Sequence, residues 1–289
     1  MEIKQYSVNF RDDTMFPLKV AFEPQVATLL HTHEFVEIVV IIGGSGIHAT
    51  KFLKHKIIPG DVLVIPKNGV HGYPQVDNLE LINILFDPTQ LPIPLLDLYK
   101  LPGYNALFAL NNDFFENNRY YPRVHLQGQN YETVKSILIP MKTESEQMVP
   151  GYRLSLMGYF MVLLSNLCRF YSENLKDVHE PAINVGKAIS FLNTNYASDI
   201  KLPVIVKNAG MSKNTFLRNF ERATGYAPIN YLINIRIARA CSLLRETTYS
   251  IAEIGYKTGF NDNNYFSKTF KKNVGMTARE YRNQYLSIR

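Results

Sequence analysis

Three histidines and one glutamate in the first quarter of the chain have the types and spacing of a ligand site. The stretch HTHEFVEIVVIIGG (31–44) contains His31 and His33, and side chains two residues apart on a β-strand share one face. Glu37 falls on that same face, four residues after His33, and His71 in GDVLVIPKNGVHGY (60–73) can return on a neighbouring strand. Imidazole and carboxylate groups gathered in this way offer polar contacts to a bound small molecule, or hydrogen bonds that hold the strands together.

The same two stretches resemble the two sequence motifs of the cupin fold, a small β-barrel. In cupin enzymes three histidines and a glutamate bind a divalent metal, and His31, His33, Glu37 and His71 stand at the matching positions. Nitrogen ligands together with a carboxylate suit Fe, Mn, Ni or Zn. The resemblance leaves open metal ligation, polar contact with an effector, and structural hydrogen bonding, with Tyr73 as a further expected effector contact. If His33 has none of these roles, the pocket is expected elsewhere in the barrel, among Phe22, Phe35, Tyr73 and Asn83.

These residues depend for their placement on strands that the pattern predicts from 19 to about 87. Runs of β-branched and aromatic residues such as VEIVVII and GDVLVIP alternate there with Gly, Pro and Asn turns, as in a sandwich or small barrel. Two helices follow: NYETVKSILIPMK, which Pro140 is expected to kink or end, and the strongly apolar RLSLMGYFMVLLSNLCRFY. Their apolar surface predicts that they cover the barrel, pair with a second copy of the chain, or do both, and we favour both.

Net charge divides the chain into two parts. Residues 183–289 hold 16 Lys and Arg against 6 Asp and Glu, whereas residues 1–182 hold 15 against 19. All seven histidines lie in the acidic part, so any imidazole or metal chemistry belongs to the N-terminal part of the chain. A basic half is either a solvated surface or a nucleic-acid-binding one. Because the polar segment ENLKDVHEPAIN (173–184) has the composition of a linker, we predict domains over 1–178 and 183–289.

Composition excludes several classes of protein. A chain of 289 residues with 46% hydrophobic residues can form one large core or two ordinary ones, which argues against disorder. Cys168 and Cys241 lie far apart in apolar stretches, as expected for core residues in a reducing cytoplasm rather than a disulfide framework. The N-terminus lacks a signal-peptide pattern, and the most apolar helix has about eleven uninterrupted apolar residues against the roughly 20 of a bilayer span. We therefore expect a soluble cytoplasmic protein without a membrane partner.

A short pattern occurs twice in the basic half. KLPVIVKNAGM (201–211) and SIAEIGYKTGF (250–260) both place apolar residues three apart, then a small residue, then Gly followed by a large apolar side chain. After a one-residue insertion the match continues, with Phe216 aligned to Phe266 and Phe220 to Phe270. Each copy has the pattern of a short helix, a turn and a longer helix whose buried rungs are the phenylalanines. The duplication therefore predicts two helix-turn-helix units.

Turn and cap residues support this interpretation. Gly210 and Gly259 suit the left-handed backbone that ends a helix, and Ser250 with Glu253 has the pattern of a capping box. In the first copy Lys201 stands where Ser or Thr is a common cap, and Pro203 lies in the first turn, where proline is tolerated. A plain helical bundle would explain the apolar rungs but not why the turn, the small residue and the trailing Gly and Tyr (Gly225 and Tyr231, Gly275 and Tyr281) recur together. We therefore predict an α+β protein of two domains: a cupin-like β-barrel with dimerisation helices, and an all-α domain.

Residues 183–289 resemble the DNA-binding domain of the AraC/XylS family of transcriptional regulators. The agreement is strongest in SIAEIGYKTGFNDNNYFSKTFKKNVGMTAREYR (250–282), through both helices, the Gly-Phe turn and the closing Gly-Met-Thr…Glu-Tyr-Arg. The resemblance implies duplex DNA as partner and a barrel that commonly serves as an effector pocket without metal, so no cofactor is expected. The stretch 31–83 looks most like regulators of L-rhamnose use, which implies a sugar-like effector. A homodimer and RNA polymerase are the remaining partners that the resemblance suggests.

Because the phenylalanines face inward, the opposite face of each longer helix is expected to enter the major groove of DNA. The residues on these faces are Lys213, Asn214, Arg218 and Arg222 in the first copy, and Asp262, Asn263, Asn264, Ser267, Lys268 and Lys271 in the second. Arg can bond to guanine and Asn to adenine through paired hydrogen bonds, whereas Lys mostly holds phosphate. We predict base contacts from Asn214, Arg218, Asn263, Asn264 and Lys268, with phosphate contact or solvation as the alternative for each. The helix from Pro228 to Leu244 is expected to join the units, so that one chain covers two groove segments about 34 Å apart.

Three functions are compatible with these features. The first is a ligand-responsive, sequence-specific transcriptional regulator of carbohydrate use. The second is a metal-dependent cupin enzyme, an isomerase or dioxygenase, with a helical appendage. The third is a constitutive DNA-binding protein whose barrel only dimerises. We expect the first function, and hence a protein that is not an enzyme.

Overall fold

A computed structural model describes residues 3–6, 16–91, 93–94, 96–118, 121–174 and 181–286. The chain forms two compact units, Met1–Gly186 and Lys187–Arg289, and the division falls within one helix, Pro181–Asn195. Part of the expected linker, residues 175–180, lies outside the described residues. The first unit contains a β-sheet and helices, and the second contains helices over its described length, as the α+β prediction requires.

The first unit is organised around two long strands. Within the described residues it has eight strands: β1 (Lys4–Tyr6), β2 (Leu18–Pro24), β3 (His31–His33), β4 (Val36–Thr50), β5 (Lys54–Ile57), β6 (Asp61–Ile65), β7 (His71–Phe86) and β8 (Arg123–His125). The sheet order is β1-β3-β7-β4-β6-β8, and in addition β2 pairs with β7 and β5 pairs with β4. Strands β4 and β7 pair antiparallel from Val36 opposite Phe86 to Thr50 opposite His71. This pairing brings the two sequence motifs, which the chain keeps apart, onto adjacent strands.

Strand β4 is buried on both faces, and the two faces meet different partners. Val39 and Ile41 belong to the apolar cluster inside the sheet, and Glu37 points to the same side because side chains alternate along a strand. On the other face, the Phe86 ring of β7 lies 4.9 Å from the ring of Phe160, which comes from a covering helix. The inner face therefore carries the candidate polar site, and the outer face carries the contact with the helices.

The helices of the first unit follow β7 in the chain, with β8 between the second and the third of them. They are α1 (Pro102–Phe108), α2 (Asn112–Asn118), α3 (Gly128–Gln147) and α4 (Tyr152–Asn174), with a 3-10 turn at Leu98–Lys100. Pro140 was expected to kink or end the helix. It does not end it, because α3 continues to Gln147. Met141, directly after the proline, is fully buried, and the Ser145 hydroxyl donates to the Val20 carbonyl of β2 at 3.2 Å. Proline removes one backbone hydrogen-bond donor from the helix, and these tertiary contacts stabilise the turns that follow it.

The apolar helix α4 is long enough to span a membrane when length and composition alone are considered. Its most apolar window, within Tyr152–Glu173, has a mean hydropathy of 1.2, and 44% of that window is buried inside the protein. The buried side of α4 packs against α3 and α1 and includes Phe160, Leu163 and Leu167. These contacts are those of a core helix that covers a sheet.

The second unit consists of helices in its described residues. They are α5 (Pro181–Asn195), which begins in the first unit, α6 (Leu202–Ala209), α7 (Lys213–Thr224), α8 (Pro228–Glu246), α9 (Ile251–Lys257), α10 (Asn263–Val274) and α11 (Ala278–Leu286). The pairs α6–α7 and α9–α10 occupy the two copies of the repeated pattern. Their rungs Phe216, Phe220, Phe266 and Phe270 are all fully buried, which confirms the predicted inward faces.

The predicted turn and cap residues have their expected conformations. Gly210 ends α6 with φ 64°, and Gly259, with φ 88°, lies one residue beyond the C-cap Thr258 of α9. At the start of α9 the Glu253 N–H donates to Ser250 Oγ at 3.2 Å, and the Ser250 N–H donates to Glu253 Oε2 at 2.7 Å. Both hydrogen bonds of the capping box are therefore present. A side chain at Gly259 would also come within 2.7 Å of the Tyr196 carbonyl oxygen.

The two cysteines are free thiols in apolar surroundings. Cys168 is fully buried in α4, and Cys241 packs against the apolar core formed by α8 to α11. Burial raises the pKa of both thiols, so neither has the character of a reactive thiolate.

Candidate effector site and DNA-reading surface

Strands β3, β4 and β7 bring the predicted polar residues together inside the first unit. His31 lies directly opposite His71 in the antiparallel pair of β3 and β7. Glu37 lies on β4 between its neighbours β6 and β7, at the position facing Ile65 on one side and Leu85 on the other. His33, Glu37 and His71 are all buried, so the polar groups that the sequence placed on one face are enclosed by the sheet.

Glu37 joins two imidazoles that come from different strands. Its Oε2 atom lies 3.3 Å from His33 Nε2 and 3.4 Å from His71 Nε2. The His33 ring is fixed from the other side, because its Nδ1 donates to the Phe35 carbonyl at 2.8 Å and the ring stacks on Phe35 at 4.2 Å. His33 therefore presents Nε2 to the carboxylate in a single orientation.

The three groups fit a divalent metal ion. One donor atom from each of His33, Glu37 and His71 lies within 4.8 Å of the other two. Two imidazoles and one carboxylate form a ligand set known for non-haem iron and also suited to Zn, Ni or Mn. The hydrogen bond from His33 Nδ1 to a carbonyl is the outer-shell contact that metal-bound histidines commonly make. A bound ion would supply Lewis acidity toward a ligand oxygen.

His31 and Tyr73 lie beside this cluster rather than within it. The His31 ring is 4.4 Å from the His71 ring, but its Nδ1 donates to the Leu29 carbonyl at 3.0 Å. Tyr73 is buried with its ring 5.9 Å from His71, and its hydroxyl has no hydrogen-bond partner. Of the four residues predicted as metal ligands, the structure thus brings three together and places His31 next to them.

Two further histidines extend the site and have no counterpart in the sequence motifs. His48 on β4 lies directly opposite His55 on β5, with ring centroids 4.9 Å apart, and its ring is 5.7 Å from that of His71. Both ring nitrogens of His48 are buried without a hydrogen-bond partner, as is Nε2 of His55. A buried polar group without a partner costs about 1–3 kcal/mol, so these atoms mark a place where a ligand would be stabilising. The isolated His48 has no spacing signal that could have identified it.

Burial keeps His48 and His71 uncharged. It lowers the pKa of His48 to about 3, with neighbouring His55 adding to the effect, and lowers the pKa of His71 well below its ordinary value. Burial, reinforced by Glu37, also raises the pKa of the Tyr73 hydroxyl well above its usual range. A neutral imidazole has one donor and one acceptor, which suits a hydroxyl group or a metal ion better than an anion.

In the first helix-turn-helix unit the predicted reading face, which is the face of the longer helix expected to enter the major groove, is exposed. Ser212 caps α7 by accepting a hydrogen bond from the Thr215 N–H at 3.4 Å, which fixes where the helix begins. The exposed polar residues of α7 include all four that were predicted: Lys213, Asn214, Arg218 and Arg222. Asn214, Arg218 and Arg222 line one shallow surface together with Leu217 and Glu221.

In the second unit one predicted residue lies elsewhere. Asn264, Ser267, Lys268 and Lys271 are exposed on α10 as expected. Asn263, by contrast, is half-buried, and its Oδ1 lies without a partner 3.2 Å from where a Cβ on Gly255 would stand. Asp262, expected on the same face, is the N-cap of α10 and accepts a hydrogen bond from the Tyr265 N–H. The start of α10 thus turns toward α9, because Gly255 leaves room for it.

Two protein families match this chain in separate ranges. Residues 22–164 match the AraC-like ligand binding domain, and residues 205–284 match a helix-turn-helix domain. The first range contains the histidine cluster, and the second contains both reading helices. Together the fold and the matches define a class of regulator in which a small-molecule-binding domain is joined to a DNA-binding domain.

The chain belongs to the AraC family of transcriptional regulators and is a ligand-responsive protein that binds duplex DNA. It is 28% identical over 257 residues to the HTH-type transcriptional activator RhaR of Mannheimia succiniciproducens, spanning 89% of this chain and 88% of that protein. It is also 28% identical over 261 residues to RhaR of Escherichia coli strain K12, spanning 90% and 88% respectively. These relatives are regulators of transcription, and the prediction of family and fold class is confirmed.

Solved structures also resemble the chain. The DNA-binding domain of AdpA in complex with a target DNA is 26% identical, covers 37% of this chain and 96% of its own, and has a TM-score of 0.36. ToxT from Vibrio cholerae O395 is 12% identical, covers 92% of this chain and 97% of its own, and has a TM-score of 0.34.

Proposed function

We propose that this protein senses a sugar-like molecule in its first unit and activates transcription of genes for carbohydrate use. The observation that carries the proposal is the enclosed set of imidazoles and one carboxylate around His33, Glu37, His48 and His71, which includes ring nitrogens without a hydrogen-bond partner. Each hydroxyl group of a polyhydroxylated ligand can both donate and accept a hydrogen bond, so it can pair with the donors and with the acceptors of the site. The relatives named transcriptional activators support activation as the mode of regulation.

A thermal-shift screen of monosaccharides, with L-rhamnose first, tests this proposal on the full chain. A ligand present at about 100 times its Kd stabilises the native state by roughly 2.7 kcal/mol. The His33→Ala variant should lose this stabilisation and the transcriptional response. The His125→Ala variant is the matched control, since His125 lies on β8 and contacts Asp61 instead of the cluster. If no sugar shifts the melting temperature, the carbohydrate assignment is wrong.

The metal alternative has its own readout in the same variant. If His33, Glu37 and His71 hold an ion, His33→Ala protein should contain less metal after purification, and a chelator should reproduce the loss of stability. Turnover of a sugar by the metal-loaded protein would favour the cupin enzyme over the regulator. A variant that melts early without a defect specific to ligand or metal would leave these residues with a structural role.

For DNA reading we propose base contacts from Asn214, Arg218, Asn264 and Lys268. Phosphate contacts are proposed for Lys213, Arg222, Ser267 and Lys271. Asn263 remains a weaker proposal, because paired hydrogen bonds to adenine need its Oδ1, which faces α9. The domains 1–178 and 183–289 are proposed to fold separately, so His33→Ala should leave DNA binding by the second domain unchanged.

A second copy of the chain is the proposed partner of α4. Leu154, Gly158 and Val162 lie four residues apart along one stripe of that helix, with Leu154 80% and Val162 48% exposed. A side chain added at Gly158 would meet nothing within 4 Å, so the stripe has a gap that another helix can enter. Size-exclusion chromatography with light scattering should show a dimer that Leu154→Glu dissociates. Val26→Glu, at an exposed apolar residue outside α4, should not change the mass.

RNA polymerase is the proposed partner during activation, and the cytoplasm is the proposed compartment. Transcription from a target promoter with purified polymerase should rise in the presence of the regulator and its ligand. Binding of the promoter without any rise would identify a repressor, and equal binding with and without ligand would identify a constitutive DNA-binding protein.

A further inference from the structure

A groove in the second unit lies beside the reading face of α10. It has a volume of about 520 Å³. One wall comes from the loop after α7 and the first turns of α8, and the other comes from one face of α10. The lining residues are Tyr226, Asn230, Ile233, Asn234, Tyr265, Lys268, Thr269, Lys272 and Asn273. The spacing of the residues along each helix is that of a single helical face.

The chemistry of the groove suits an anion. Its lining includes two lysines and no acidic residue, and Tyr226 and Tyr265 are each about half exposed, at 50% and 51%. Helix α8 begins at Pro228 after Ala227, an N-cap residue whose methyl group cannot cap the N–H groups of the first turn. The positive end of the α8 dipole therefore lies next to Asn230 at one end of the groove.

The position of the groove identifies which anion it meets. Lys268 lines the groove and also lies on the reading face with Asn264, Ser267 and Lys271, so the two surfaces are adjacent faces of α10. A helix about 10–12 Å across fills a major groove about 12 Å wide, so the flanks of the helix meet the phosphates that border it. The lining also includes Tyr226, which lies two residues after α7, the longer helix of the first helix-turn-helix unit.

We propose that this groove binds the sugar-phosphate backbone of one DNA strand, where the strand passes between the two major-groove segments. Lys272 pairs with a phosphate, while Asn230, Asn234 and the tyrosine hydroxyls donate hydrogen bonds to backbone oxygens. The site rests on the DNA-binding function of the second unit. It adds contacts that do not depend on sequence and that lie outside both reading faces, so it sets how the two units are aligned on one duplex.

Fluorescence anisotropy with the full chain and a mixed-sequence 40-base-pair duplex tests the groove. The affinity is measured from about 50 to 300 mM KCl for wild type, Lys272→Gln, Asn234→Asp and the control Lys187→Gln. Each lost phosphate contact lowers the slope of log K against log salt by about 0.9, so Lys272→Gln should reduce the slope by about that amount. Asn234→Asp places a carboxylate against phosphates and should weaken binding at least about tenfold. Lys187, exposed on α5 away from the groove, should have no effect.

Several results would overturn the proposal. Slopes and affinities for Lys272→Gln and Asn234→Asp equal to those of Lys187→Gln would show that the backbone does not enter the groove. Normal DNA binding combined with lost activation by RNA polymerase would make the groove a protein-contact surface instead. Absence of salt-dependent binding by the wild type would contradict DNA binding itself, which is a separate failure. If Asn234→Asp melts early, the exposed Lys272→Gln variant decides the question alone.

Discussion

In the first unit several buried ring nitrogens of the candidate site lack hydrogen-bond partners, whereas in the second unit most of the predicted DNA-contacting side chains are exposed on helices whose starts are capped. Both ring nitrogens of His48 have no hydrogen-bond partner, and burial holds the pKa of this residue at about 3. Arg218 and Lys268, in contrast, stand in solvent on helices capped by Ser212 and Asp262. The first arrangement suits a small ligand that is enclosed away from water. The second suits a large charged partner that binds at the surface.

This difference predicts different sensitivities for the two units. A buried set of neutral imidazoles responds to pH, because charging them requires that the site open to water. An exposed set of cations responds to salt, because DNA releases counterions when phosphates are neutralised. The two functions can therefore be perturbed separately in one chain, and each of the following predictions tests that separation.

Salt should have the largest effect. Residues 183–289 should bind duplex DNA with an affinity that falls about 10³-fold or more between 50 and 200 mM salt, as expected for six to ten phosphate contacts. Fluorescence anisotropy across a salt series measures this. Residues 1–178 are the control and should not bind. If the affinity of the C-terminal domain did not change with salt, the prediction that its exposed cations bind DNA phosphates would be wrong.

Acid should have the next largest effect, and it should act on the first unit. Between pH 6.5 and about 3 the unfolded chain protonates His48 while the folded chain does not, so stability is lost as the pH falls through that window. The loss for one such residue is about 1.4 kcal/mol per pH unit. Denaturant unfolding of residues 1–178 from pH 7.5 to 4.5 should show this slope, and His71 adds to it in the same direction.

The variant His48→Gln isolates this effect. Glutamine is neutral at every pH, so the stability of the variant should fall less steeply with acid than that of wild type. Gln129→Ala, at an exposed residue of α3 that does not titrate, is the control and should keep the wild-type slope. Identical slopes for wild type and His48→Gln would show that His48 is not held neutral by the fold.

A smaller effect should separate base reading from phosphate contact within the second unit. Arg218→Ala should cost about 1–3 kcal/mol on a specific site and relax the preference at one base pair, whereas Lys271→Ala should weaken all sequences alike. Binding to a selected duplex and to random DNA measures both. If Arg218→Ala weakens the two duplexes equally, Arg218 belongs with the phosphate contacts.

The smallest effect should come from the helix caps. Ser250→Ala removes the capping box of α9 and should destabilise residues 183–289 by about 1 kcal/mol. Ser212→Ala should cost less, because its hydrogen bond to the Thr215 N–H is longer, at 3.4 Å, than the 3.2 Å bond to the Glu253 N–H. Thermal melts of both variants provide the comparison. A Ser250→Ala protein as stable as wild type would show that the box does not contribute.

Local patterns were sufficient for most of the second unit. The rungs Phe216 and Phe266, the turn at Gly210 and the box at Ser250 depend on residues within one or two helical turns of each other, so periodicity and cap chemistry predict them. Asn263 escaped prediction because its direction depends on the space that Gly255 leaves in another helix. Pro140, predicted to kink or end the helix, does not end it for the same kind of reason, since contacts with β2 hold α3 past the proline.

The sequence by itself determined the strand period that puts His33 and Glu37 on one face, the duplicated helix-turn-helix pattern and the uneven charge of the two halves. The position of His48 beside this polar cluster, in contrast, depends on the tertiary structure. Glu37 and His48 are an odd number of residues apart, so simple alternation places them on opposite faces of β4. Register shifts between Ile41 and Ala49 interrupt that alternation, and pairing with β7 then brings the His48 ring to 5.7 Å from His71. A bulge is set by the pairing of two strands, so no spacing within one of them reveals it.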